Sequence, residues 1–192
     1  MNRNFLYTLL ILLSSCSVLQ DNSGYSEIFG TLKNYALGSN INITEQFIED
    51  FPYSFAIVQI GRSPEIRMVL LSAENNIYEW VSSDKIRIFT KRGKIIKTIG
   101  LDHDIEFQDI QSTNEILFSQ IFKVNFFYPE LYDITLKSDF EKIQNRILET
   151  SSYAQIGWKI NNTYVLNNGR VSQSIQRIHP HFPEISMRFF IK

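Results

Sequence analysis

Between residues 54 and 100, short runs of branched and aromatic residues follow one another with almost nothing between them. The runs are SFAIVQI, EIRMVLLS, NIYEWVS, KIRIFTK and KIIKTIG, and the breaks draw on GRSP, AENN, SSD and RG. Such runs read as strands. Such breaks read as turns, because Gly, Asn and Asp tolerate left-handed backbone and Pro pre-sets φ. The length of the breaks fixes the direction of the strands. A parallel pair needs a crossover of a dozen or more residues, so neighbours in sequence here must pair antiparallel, as a meander.

The rest of the body continues in the same texture. KVNFFYPELYDITLKS has strand character interrupted at Pro129, and IGWKINNTYVLNNGRVSQSIQRI reads as further strands with a hairpin turn at Asn167-Asn168-Gly169. EISMRFFIK reads as a last strand. Residues 102–120 look less regular, with a short helix around 114–120, and the spacing over 142–151 fits strand and helix equally. Ahead of the strands, Tyr25, Ile28, Phe29, Leu32, Tyr35 and Ala36 fall at helical spacing, with Gly38 as C-cap. Residues 44–50 predict a second short helix, capped by Thr44 and closed by Pro52. The expected fold is mainly β with short N-terminal helices (α+β), its antiparallel meander sheet closing as a barrel or packing as a sandwich. With 44% apolar and 20% charged residues, the chain has the material for a packed core. Its Phe 15, Tyr 9 and Trp 2 favour sheet. A net charge of −1 argues against a nucleic-acid partner.

The first residues read as an address. Arg3 and the amino terminus make the start positive, and FLYTLLILL over 5–13 is too short to span a bilayer as a helix. Leu13-Ser14-Ser15-Cys16 follows and resembles the lipobox of bacterial lipoproteins. That resemblance implies a signal peptide over 1–15, Cys16 as the lipidated mature N-terminus, and a polar tether over 16–24. One domain over 25–192 would follow. Cysteine suits the attachment because its thiolate is the strong nucleophile available near neutral pH. Two or three acyl chains hold a protein on a membrane where one binds reversibly. Ser17, in place of Asp after the cysteine, implies sorting to the outer membrane. With Cys 1 in the whole chain, no intramolecular disulfide can form.

A family resemblance enters at Gly61-Arg62-x-Pro64, Trp80-Val81-Ser82-x-Asp84, Thr90-x-Arg92-Gly93-Lys94-Ile95 and Thr98-x-Gly100-Leu101. The aromatic and Asn-rich segment from Trp158 to Tyr164, the Gly169 turn and the Pro183-x-Ile185 strand continue it. These residues resemble the YjbF/GfcB-type lipoproteins of exopolysaccharide and group-4 capsule gene clusters. Departures lie at Tyr164-Val165 and Val171-Ser172-Gln173-Ser174. The resemblance implies a mostly β periplasmic domain on a lipid anchor, serving production or export of a surface polysaccharide. It also implies an outer-membrane β-barrel and periplasmic proteins of the same pathway as partners. No enzymatic activity, cofactor or metal is implied.

Motifs of chemistry are sparse. No G-x-S-x-G elbow is present, and Ser63 sits in turn sequence. His179 and His181 are two apart, short of the third ligand a metal site needs. Asp102, Asp104, Glu106 and Asp109 read as a solvated loop, with paired-carboxylate glycoside chemistry as the alternative. Lys85, Arg87, Lys91, Arg92, Lys94 and Lys97 form a basic hairpin that either protects a strand edge or faces anionic polysaccharide or lipid headgroups. Trp80, Lys91, Arg92 and Trp158 are the candidates for contact with glycan or a partner protein, the aromatic rings by stacking on sugars.

Overall fold

The computed structural model of the protein describes residues 43–108 and 120–192. The lipobox with Cys16, the tether, the helix expected over 25–36, Asp109 and most of the helix expected around 114–120 lie outside the described residues. Of that last helix Gln120 is described, and it begins a strand.

Helix α1 (Glu45–Asp50) starts where the sequence places it, with Thr44 Oγ1 accepting the Phe47 N–H at 3.1 Å. The strands are β1 (Phe55–Ile60), β2 (Ile66–Glu74), β3 (Ile77–Ser82), β4 (Arg87–Lys91), β5 (Lys94–Ile99), β6 (Ile105–Phe107), β7 (Gln120–Phe127), β8 (Glu130–Ile143), β9 (Arg146–Tyr153), β10 (Trp158–Asn167), β11 (Arg170–Gln176) and β12 (Ile185–Phe190). Each pairs antiparallel with its neighbours in sequence. β1 also pairs with β12, from Phe55↔Phe190 to Ile60↔Ile185, so the sheet closes into a barrel. The meander predicted over 54–100 is therefore β1 to β5. The undecided segment over 142–151 is strand, turning between Ile143 and Arg146. The irregular stretch after Leu101 contains β6, whose three residues are too few to show a period.

Strand direction alternates around the barrel, so its connections gather at two ends. The β2–β3, β4–β5, β8–β9 and β10–β11 turns share one end with the close of β12. Three of these turns place two successive residues in left-handed backbone: Asn75 and Asn76, Arg92 and Gly93, Asn168 and Gly169. This is the conformation that matches the twist of antiparallel strands. The opposite end is filled by the 177–184 connection, which buries Ile178, His179 and Phe182 against the core.

The interior is stacked in layers. Near the filled end Met68, Ile105, Val124, Phe126, Leu136, Ile160, Ile185 and Met187 form the apolar core. Above it lies a polar layer centred on Glu149 of β9, and above that an open cavity. Outside, Lys123, Lys137, Asp139, Thr150, Lys159 and Asn161 are exposed on β7 to β10. An apolar inside with a charged outside is the reverse of a lipid-embedded barrel. On the β1–β2–β12 side, α1 covers the wall. Phe47 and Phe51 meet Phe55 at 5.9 and 5.1 Å, Phe55 stacks on Phe190 at 4.6 Å, and the Arg67 guanidinium lies 4.6 Å from the Phe47 ring centre.

At the filled end, the chain's histidines come together. The His103 and His179 rings stack at 4.4 Å, with His181 5.7 Å from His179. His103 Nδ1–H donates to the Tyr128 carbonyl at 2.8 Å, whereas His179 Nδ1 accepts the His181 backbone N–H at 3.1 Å. Burial, then the neighbouring His103 and His181, lower the His179 pKa to about 4. The unfolded chain, whose histidines titrate near the ordinary 6.5, therefore binds more protons than the folded one between pH 4 and 6.5. Thermal melting should show stability falling as pH drops from 6.5 to 4. His179→Asn, which keeps an acceptor without the titrating ring, should flatten that slope. An unchanged slope would assign it elsewhere.

Candidate functional site: the open mouth of the barrel

The cavity at the open end has a volume of about 920 Å³. Its walls come from residues that flank the turns of that end. Inward positions of β8, β9 and β10 supply Phe140, Ile147 and Leu166, β11 supplies Val171, and β12 supplies Phe189. Tyr78 and Trp80 of β3 contribute the far wall. Cations stand at the rim: Arg92 in the β4–β5 turn, Lys142 near the end of β8 and Arg170 at the start of β11, all exposed. No carboxylate is among the described residues that line the cavity. The β4–β5 turn leans across the barrel toward β11. The Gln176 amide donates to the Gly93 carbonyl at 2.8 Å, and a Cβ on Gly93 would lie 2.5 Å from Val171 Cγ1. Glycine at 93 thus serves both its left-handed backbone and this close approach.

Beneath the cavity, the Glu149 carboxylate is fully buried and surrounded by donors. Lys94 of β5 pairs with it across the barrel, and both are sealed from solvent. Ser138 and Ser151 donate to Oε1 at 2.8 and 2.7 Å, and Asn162 and Tyr164 to Oε2 at 2.9 and 2.6 Å. Burial by itself would raise the Glu149 carboxyl. The Lys94 charge and the hydrogen bonds from Lys94, Tyr164 and Asn162 outweigh it and lower the pKa to about 2. Tyr164 is pushed well above the phenol range, by burial first and then by the Glu149 charge. A carboxylate so saturated with donors is an acceptor held in place, poorly suited to take up a proton at neutral pH.

The sequence candidates separate in this frame. Arg92 stands on the rim. Trp80 lines the cavity's deep wall but is 0% exposed, and its indole N–H is spent on Thr90 Oγ1 at 2.9 Å, so it is a core residue and no sugar platform. Lys91 is 1% exposed, which removes it as a surface contact. Burial, then the adjacent Arg92 charge, lower its pKa. Trp158 lies toward the filled end, stacked on Tyr153 at 4.9 Å, apart from the mouth. The basic hairpin is no continuous surface either. Arg87 pairs with Glu79, Lys94 points inward to Glu149, and Lys97 pairs with Glu106 at 2.6 Å. Asp104 accepts the Gly100 and Leu101 N–H groups at 2.8 and 3.1 Å, which makes it a turn-former. Ser63 likewise accepts the Ile60 N–H in its turn. His179 stacks on His103 and is tilted against His181, and no group of three His, Cys, Asp or Glu among the described residues is placed to hold a metal. Phe140, Lys142, Leu166, Arg170 and Phe189 were not foreseen. The available signal was strand direction, which carries residues beside every second turn to one end.

Among the described residues, the chain is a closed antiparallel barrel, filled at one end and holding a cation-rimmed cavity at the other. The family model described as "Group 4 capsule polysaccharide lipoprotein gfcB, YjbF" matches residues 20–124, and the chain belongs to that family. It is 29% identical over 125 residues to the uncharacterized lipoprotein YjbF of Escherichia coli K12, a match covering 63% of this chain and 56% of that protein. The chain thus aligns with little more than half the length of this curated relative. The crystal structure of the hypothetical lipoprotein YmcC from Escherichia coli K12 superposes with a TM-score of 0.66 at 16% identity. That match covers 91% of this chain and 98% of that one, and it shows a shared fold.

Proposed function

We propose that this lipoprotein is a non-enzymatic component of surface-polysaccharide production or secretion. It is held by lipid on Cys16 at the periplasmic face of the outer membrane, and it works by binding through the barrel mouth. The observation that carries this reading is the mouth itself: a large open cavity with a cationic rim over a floor whose acid is locked by hydrogen bonds. The floor supplies a fixed acceptor and the rim supplies charge, which suits recognition better than proton transfer. Family membership supports the polysaccharide context. Direct stacking of glycan on Trp80 or Trp158 loses support, because one is buried and the other lies away from the mouth.

The test reverses the rim. Arg92→Glu with Arg170→Glu, in a strain lacking the wild-type gene, should cut secreted polysaccharide by at least tenfold, since losing even one charge-assisted contact, worth roughly 1.5–3 kcal/mol, weakens binding by about tenfold or more. The variant should melt within a few degrees of wild type, because both side chains are exposed. Normal secretion would remove the mouth from the function.

A second reading is docking of other envelope proteins, such as an outer-membrane barrel of the same pathway. It is favoured by exposed Phe127, Tyr128 and Tyr132 beside the β7–β8 turn at the filled end, with Phe127 and Tyr132 6.4 Å apart. Under that reading the rim variant secretes normally and the aromatic turn carries the effect.

A further inference from the structure

We infer that the mouth holds a single-chain anionic amphiphile: an acyl chain lying in the cavity, with a terminal phosphate at the rim between Arg92, Lys142 and Arg170. The inference rests on the reading that the mouth is the working site, and it names the chemistry of the occupant.

Three observations bear on that chemistry. The first is charge. Three cations face the cavity, and no carboxylate stands among its described lining residues. Two of them are arginines, whose planar fork matches phosphate oxygens pairwise. The second is the wall. A saccharide needs a donor or acceptor for nearly every hydroxyl, and burying one without a partner is costly. Asn76, Tyr78 and Thr90 carry polar groups on the β2 to β4 side, but Phe140, Ile147, Leu166 and Val171 opposite them offer none and match an alkyl chain. The third is size. An acyl methylene takes about the room of a water molecule, about 30 Å³. One chain of about sixteen carbons with its phosphate would then fill roughly two thirds of the 920 Å³ cavity, and two such chains would overfill it. The polar layer around Glu149 closes the cavity below, so the chain enters from the rim and stops there.

The experiment uses the full chain in phosphatidylcholine nanodiscs. A diazirine-bearing lysophosphatidate is added and irradiated, and labelled peptides are mapped by mass spectrometry. Label is expected on the mouth ends of β8, β10, β11 and β12, and it should be displaced by unlabelled lysophosphatidate. Lys142→Glu with Arg170→Glu should reduce it at least tenfold. Ile147→Gln with Leu166→Gln, which puts polar groups into the apolar wall and leaves the rim charges in place, should also reduce it strongly. Thermal melting confirms that each variant is folded. Label confined to segments outside the mouth, label unchanged in both variants, or displacement by oligogalacturonate equal to that by lysophosphatidate would each overturn the inference. If labelling fails while rim reversal still stops secretion, the occupant is wrong and the mouth remains the working site.

Discussion

Glu149→Gln is expected to lower the unfolding free energy by about 3–5 kcal/mol, the cost of leaving one partner of a buried ion pair alone. For a domain of this size that corresponds to a fall in Tm on the order of 10 °C. Lys94 is sealed from water and faces Glu149, so the amide leaves a buried ammonium without its counter-charge. The amide NH₂ also points a donor at groups that already donate. Lys94→Met should cost less, because Ser138, Ser151, Asn162 and Tyr164 continue to solvate the carboxylate. Urea titration of both variants checks the order. Equal losses, or a loss below about 1 kcal/mol for Glu149→Gln, would mean that water reaches the pair.

Acid adds a second signature to the same site. The folded Glu149 pKa is near 2, below the ordinary 4.5. Its contribution is therefore complete above pH 4.5 and is lost as pH falls through 2. The Gln variant should lack that part of the acid slope while keeping the part between pH 6.5 and 4 that belongs to His179.

Trp80→Ala should destabilise by about 3–5 kcal/mol, as truncation of a large buried aromatic does. The ring is fully buried and packs against Phe189 at 5.5 Å and Tyr78 at 6.1 Å, and it satisfies the Thr90 hydroxyl. Trp80→Phe should lose about 1 kcal/mol for the missing N–H bond, plus a smaller packing loss. Calorimetric melting of the pair separates a core role from a sugar platform. A platform would lose ligand affinity at unchanged Tm, and that result for Trp80→Ala would restore the stacking reading.

The strands from Phe55 to Ile99 were legible because their turns carry chemistry that only turns need: paired left-handed residues at Asn75-Asn76 and Arg92-Gly93. The strand at 146–153 was not, for a physical reason. Its inward residues are Ile147, Glu149, Ser151 and Tyr153, so the face that should read apolar is polar in the middle, where it lines the ion pair. The inward turn of Lys94 was hidden in the same way, since a lysine between other cations reads as surface until Glu149 is placed opposite it. IYEWV showed no clean inside face because both of its faces are covered, with Trp80 inside and Val81 also buried. Of the site, Arg92 and Trp80 could be named. The rest of the mouth depends on which strands run toward the same end, and barrel closure depends on β1 meeting β12, a pairing that no local pattern encodes.

The seam between Phe55–Ile60 and Ile185–Phe190 sets an order of events during synthesis. The first of the described strands to be made is the last to find its second neighbour, because that neighbour is the last of them to emerge. Closing so long a loop carries a large entropic cost and slows folding of such topologies. Until then the nascent sheet has open edges at β1 and at its growing end, which are prone to pairing with other chains. Loss of residues 185–192 would remove the closing strand β12 and leave β1 and β11 with open edges.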